Sequence, residues 1–161
     1  MKKIFITLLV LLLAKALQAQ NSLGSNAQSI KVNTLQPLVF NYNDLNELEF
    51  PKTLYNALHL ELKAKAETAI ISANVNYTSP AEPALSNKLV LKYSSGNSSS
   101  AVINMADIPL TSVPVQLLQQ PTFGNGVDHY SFYYNVILQP VTNFVAQEDN
   151  YFVITFTLTN P

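Results

Sequence analysis

Cysteine, arginine and tryptophan are all absent from this 161-residue chain, and charged residues make up only 12% of it. Without cysteine no disulfide can form, and no lipid can be attached at a lipoprotein-type cleavage site. An apolar core has to supply the stability unaided. The missing arginine leaves lysine as the only strong cation. Nucleic acids and anionic membrane surfaces are held by clusters of Lys and Arg, so both are set aside as partners. The missing tryptophan removes the flat ring on which a secreted sugar-binding module usually stacks its ligand.

Long apolar runs are scarce too: there is one. Residues 4–14, "IFITLLVLLLA", follow Lys2 and Lys3 and precede "KALQAQ", where Ala16 and Ala19 are small. A basic start, an apolar centre and small residues near a cut form a secretory signal peptide. The run is shorter than the roughly 20 apolar residues a spanning helix needs. Cleavage is expected after Ala19. The chain from Gln20 onward then carries six lysines against ten acidic residues, a net charge of −4. The expected organisation is a signal peptide at 1–19, a polar flexible leader at 20–28 and one domain at 29–161, a size at which a single core suffices. The expected localisation is outside the cytoplasm, in the periplasm, at the cell surface or in the medium. No transmembrane segment is expected after cleavage.

The domain reads as strands joined by polar turns. In "LHLELKAKA" (58–66), Leu58, Leu60, Leu62 and Ala64 fall on one face, with His59, Glu61, Lys63 and Lys65 on the other. This composition favours a helix, but the strict period of two argues a half-buried strand. "AIISANVNY" (69–77) alternates in the same way. Only Glu67 and Thr68 lie between the two, which suggests a hairpin. Further strands are expected at 29–33, 38–42, 88–93 and 101–105, with one helical turn within 43–50. "SSGNSSS" (94–100) is expected to be a turn or mobile tip. Pro109, Pro114 and Pro121 restrict the strand among them to a sheet edge. "YSFYYNVIL" (130–138) is apolar on both faces, as in the middle of a sheet. "YFVITFTLT" (151–159) puts Phe152, Ile154, Phe156 and Leu158 on one side and Tyr151, Val153, Thr155, Thr157 and Thr159 on the other. Short strands at regular spacing indicate an all-β antiparallel sandwich of about 7–9 strands.

Catalytic chemistry finds few residues to use. His59 lies on the polar side of a strand. His129 follows Asp128, and adjacent strand residues point to opposite faces. No nucleophile elbow, zinc-protease motif, phosphate loop or dinucleotide fingerprint is present. The acidic stretch Asn43, Asp44, Asn46, Glu47 and Glu49 lacks the spacing of a calcium loop and reads as a solvated segment. No catalytic residue, cofactor or metal ligand is therefore expected. Tyr130, Tyr133 and Tyr134 form the candidate glycan platform, although rings in so apolar a strand more often belong to a core. Tyr151, Val153, Thr155 and Thr157 form the candidate interaction strand, because a strand this apolar can complete a neighbour's sheet as well as its own.

The signal ending "LQAQ", the mid-chain "ANVNYT" and the final "NYFVITFTLT" together resemble the pilin-like and related surface β-sandwich proteins secreted by Bacteroidota. In those proteins a Gly-x-Tyr entry often precedes the last strand. Here Asn150-Tyr151 stands in its place without the glycine. The resemblance implies an immunoglobulin-like sandwich that acts through protein contacts, including self-association. The chain departs from that group in having no disulfide. Its N-terminal segment, 20–36, offers only Leu23, Ile30, Val32 and Leu35 as a polymerising donor. The expectation is a non-enzymatic structural or adhesive surface protein, pilus-like in one version. The alternative is a carbohydrate-binding module.

Overall fold

The computed structural model describes residues 28–65, 67–77, 87–122, 128–141 and 151–161. The expected signal peptide, nearly all of the expected leader and most of the loops expected at 78–87, 123–128 and 139–149 lie outside the described residues. Nine strands are described: β1 (Ser29–Thr34), β2 (Lys52–Ala64), β3 (Ala69–Tyr77), β4 (Leu89–Gly96), β5 (Val102–Ile103), β6 (Ile108–Pro109), β7 (Val115–Gln120), β8 (Asp128–Leu138) and β9 (Phe152–Thr159). They form two antiparallel sheets, one of order β1-β2-β8-β4-β6 and the other β5-β7-β3-β9. The chain is thus an all-β sandwich with the expected number of strands.

The alternating residues do what their period requires. Leu58, Leu60, Leu62 and Ala64 of β2 are buried, and so are Ala69, Ile71, Ala73 and Val75 of β3. These two sets meet Leu89, Leu91, Ile108, Leu110, Leu117, Leu118, Phe132, Tyr134 and Val136 in one core between the sheets. β8 runs between β2 and β4, the central place that its two-sided apolarity predicts. A second, smaller apolar cluster sits on the outer side of the five-stranded sheet. Val90 pairs with Ile137 there, and the backbone of Val141 donates to the carbonyl of Leu48. All four residues are buried, yet none belongs to the main core.

Several local expectations change. β2 and β3 do not form a hairpin; the short connection carries the chain from one sheet to the other. From β2 onward the long strands β2, β3, β4, β7, β8 and β9 alternate between sheets. This jelly-roll style of winding refines the immunoglobulin-like expectation, since an immunoglobulin sandwich keeps some hairpins within a sheet. Residues 38–42 form no strand. They are held instead by Lys52, which donates to the Asn41 carbonyl, lies 4.2 Å from the centre of the Tyr42 ring and pairs with Glu47 at 2.6 Å. Burial, and after it the Glu47 charge, raises the Tyr42 phenol above its ordinary range. The expected helical turn is a 3-10 turn, Leu45–Glu49, capped by the Asp44 carboxylate, which accepts from the amides of Asn46 and Glu47. β7 is not an edge strand. Pro114 precedes its first residue, so no ladder bond is lost, and β5 covers its outer side at Val102 and Ile103.

The serine-rich stretch is strand as far as Gly96 and bends after it, as the turn expectation has it. The Asn97 side chain accepts from the Ser131 amide at 2.7 Å. Gln120, the only buried polar residue among those described, takes a hydrogen bond from Ser98 Oγ at 2.6 Å and gives one to Ser100 Oγ at 2.8 Å. A buried amide needs partners, and this loop supplies them.

Candidate functional site

A sandwich of two open sheets has four edges, and exposed edges invite pairing with other chains. Three of the four are blunted by their own sequence. β5 and β6 are two residues long, and β6 ends in Pro109. β1 carries Lys31, whose side chain is largely exposed. β9 differs. It is eight residues long, reads "FVITFTLT", and contains no charge, no proline and no glycine. Its register with β3 is unbroken from Ile70↔Thr159 to Tyr77↔Phe152. Among the described residues, nothing pairs with its other side. β9 therefore closes its own sheet and also ends it.

The inner side of β9 is less well covered than that of its neighbour. Ala69, Ile71, Ala73 and Val75 of β3 are at most 1% exposed. Phe152, Ile154, Phe156 and Leu158 pack against the same core, but each keeps some exposure. The candidate interaction residues Tyr151, Val153, Thr155 and Thr157 all face outward, with Tyr151 58% and Val153 54% exposed. β1 lies against β9 across the layers. The two strands are tied at one end by Glu67, whose carbonyl accepts from Gln28 and whose carboxylate accepts from Asn160 at 3.0 Å. At the other end the Phe40 ring stands 6.5 Å from that of Phe152. Ile30 and Val32 of β1 add to the same side, Val32 being exposed. The result is a predominantly apolar flank along one side of the sandwich.

The outer face of the five-stranded sheet carries most of the remaining chemistry. Glu61 accepts from Asn33 Nδ2 at 2.5 Å and lies 3.5 Å from Lys31 Nζ and 3.8 Å from His59 Nδ1. Burial by itself would raise the Glu61 carboxyl. Asn33, Lys31 and His59 outweigh that effect and hold it below the ordinary range. His59 stacks on Tyr133, its cross-strand partner, with ring centres 4.5 Å apart and planes 6° from parallel. This arrangement couples two strands; it does not present a nucleophile or an open cation site. Among the described residues no group of three or more His, Asp or Glu side chains is placed to hold a metal. Within the acidic stretch at 43–49, Asp44 caps the 3-10 turn and Glu47 pairs with Lys52.

The glycan platform does not assemble. Tyr134 is fully buried, and Tyr130 points to the same inner side and packs against the core. Burial, and then Asp128, whose carboxylate accepts from the Tyr130 hydroxyl at 3.4 Å, raises the Tyr130 phenol. Only Tyr133 faces outward, and His59 occupies one side of its ring. Alternation along β8 separates the three rings, since Tyr133 and its neighbour Tyr134 must point to opposite faces. His129 is exposed at the outer end of β8, opposite Lys63. No described helix is long and apolar enough to cross a membrane. No protein-family model, no curated protein and no solved structure matches this chain.

Proposed function

We propose that the protein is an exported, non-enzymatic structural or adhesive sandwich that works through protein–protein contacts, with β9 as its contact strand. The observation that supports this reading is the contrast between edges: three are short or charged, and the fourth is long, unbroken in register, uncharged and flanked by apolar side chains. A strand with these properties pairs through its main chain, while its side chains select the partner. The signal-like start at residues 1–19 supports export, and the dispersal of the three tyrosines removes the support for a sugar platform.

The test is site-specific photocrosslinking in the producing cells. A photoreactive residue at Val153, on the β9 edge, should capture envelope or surface proteins. The same probe at Lys92, on the opposite sheet, should capture far less. Equal capture from both positions, or retention of the protein in the cytoplasm with residues 1–19 uncut, would overturn the proposal.

A further inference from the structure

The pattern along β9 points to one occupant in particular. We propose that β9 pairs antiparallel with β9 of a second copy across a two-fold axis passing through Thr155, joining two four-stranded sheets into one. This deepens the contact-strand reading above and rests on it.

Residues opposed in an antiparallel pair point to the same side of the sheet. With the axis at Thr155, Phe152 faces Leu158 of the second copy, Val153 faces Thr157, Ile154 faces Phe156, and Thr155 faces itself. All four inner residues of β9 then meet inner residues; of the outer ones, Val153, Thr155 and Thr157 meet β-branched residues and Thr159 meets Tyr151. Moving the axis one residue toward the C-terminus, to Phe156, still matches faces. It leaves Phe152 opposite Asn160, however, so one apolar residue loses its partner. Moving it to Ile154 leaves Leu158 opposite Asn150. An isologous contact places each surface against itself, so a charge near the axis would meet its own copy. β9 has none between Phe152 and Thr159.

Other occupants fit less well. The leader at 20–27 offers one large apolar residue, Leu23, against four inner positions. β1 of another copy would bring Lys31 and Asn33, and its head-to-tail contact would grow into open fibres. The flank is about 27 Å long, taking a rise of about 3.4 Å per residue. A contact of that length across two layers lies at the lower end of specific interfaces. The dimer should therefore form and dissociate with concentration.

The absence of native cysteine makes the test direct. Opposed residues in an antiparallel pair have Cα atoms about 4.5–5.5 Å apart, within disulfide range. In the processed chain, Thr155→Cys should give a disulfide-linked dimer under mild oxidation. Thr157→Cys alone should not, because its copy lies about 13 Å along the strand. A mixture of Val153→Cys and Thr157→Cys should cross-link as the heterodimer. Thr155→Lys, which opposes two ammonium groups on the axis, should weaken dimerisation by at least about tenfold in sedimentation equilibrium. Cross-linking of Thr157→Cys as readily as Thr155→Cys, or growth beyond dimers, would overturn the register or the closure. A monomeric wild-type protein in which the β9 amides directed away from β3 exchange freely, while those bonded to β3 stay protected, would overturn self-pairing alone. A monomer with all β9 amides protected would overturn the contact-strand reading as well.

Discussion

Replacing Tyr134 by phenylalanine should make the protein more stable. Tyr134 is fully buried in the main core, and its ring meets Tyr93 edge-on, with centres 5.8 Å apart and planes at 74°. Its hydroxyl oxygen is buried without a hydrogen-bond partner among the described residues. An unsatisfied buried polar group costs about 1–3 kcal/mol. Tyr134→Phe removes that oxygen and keeps the ring, its packing and its edge contact. The expected gain near neutral pH is about 1–2 kcal/mol by urea unfolding, with the m-value unchanged. Most core substitutions destabilise by about 1 kcal/mol, so the sign itself is diagnostic.

The same hydroxyl predicts a pH dependence. Burial, and then the neighbouring Tyr93, pushes its ionisation well above the ordinary tyrosine range. In the unfolded chain the proton leaves near pH 10, to a rough approximation. Its contribution to stability is therefore complete below about pH 10 and is lost as the pH rises from there toward the folded value. Phenylalanine has no proton to lose. The advantage of the variant should widen by about 1.4 kcal/mol for each pH unit above about 10. Tyr42 and Tyr130 are also raised, but they are common to both proteins and cancel in the difference. A variant less stable than wild type by about 1 kcal/mol would show that the hydroxyl has a partner, and would refute the reasoning.

Two further substitutions test the anchoring of the serine-rich loop. Gln120→Leu removes the amide that holds Ser98 and Ser100. At about 1 kcal/mol per hydrogen bond the loss should be about 2 kcal/mol, and the Ala101 amide, which donates to Ser98 Oγ at 3.1 Å, should exchange faster. Gly96→Ala would bring a Cβ to 2.7 Å from the Ser131 carbonyl oxygen and 2.9 Å from the Tyr93 hydroxyl. The carbonyl belongs to central strand β8 and cannot retreat, so a loss of about 1–3 kcal/mol is expected in thermal or urea unfolding. A neutral result for either variant would mean that the loop is not tied down as described.

The strands with strict alternation were legible residue by residue. Leu58, Leu60, Leu62 and Ala64 in the first strand and Ile71, Ala73 and Val75 in the second are buried as read, and Tyr77, the last of the second face, is half-buried against the core, because side chains two residues apart share a face whatever sheet the strand joins. The central place of β8 was legible for a related reason: a strand apolar on both faces has to be covered on both. The segment 38–42 misled because "LVFNY" has strand composition but no partner, and Lys52 captures it by charge and ring contact. The hairpin misled because a two-residue connection looks the same whether the chain turns back within a sheet or crosses to the other. The tyrosine platform failed through the alternation itself, which divides neighbouring rings between core and surface. Neither the His59–Tyr133 stack nor the Glu61 cluster was visible, since each depends on residues from different strands brought opposite one another by register.

What this sequence determined by itself is local and periodic: strands of known faces, and a core without disulfides. Those properties follow from the spacing of apolar residues along a single segment. Tertiary structure alone decided the order of strands, and with it which edges remain open. β9 would be an ordinary closing strand if another had followed it in the sheet. It becomes a candidate contact because pairing with β3 on one side leaves its other row of amides and carbonyls without a described partner. That is a property of the assembled sheet, and no reading of "FVITFTLT" in isolation contains it.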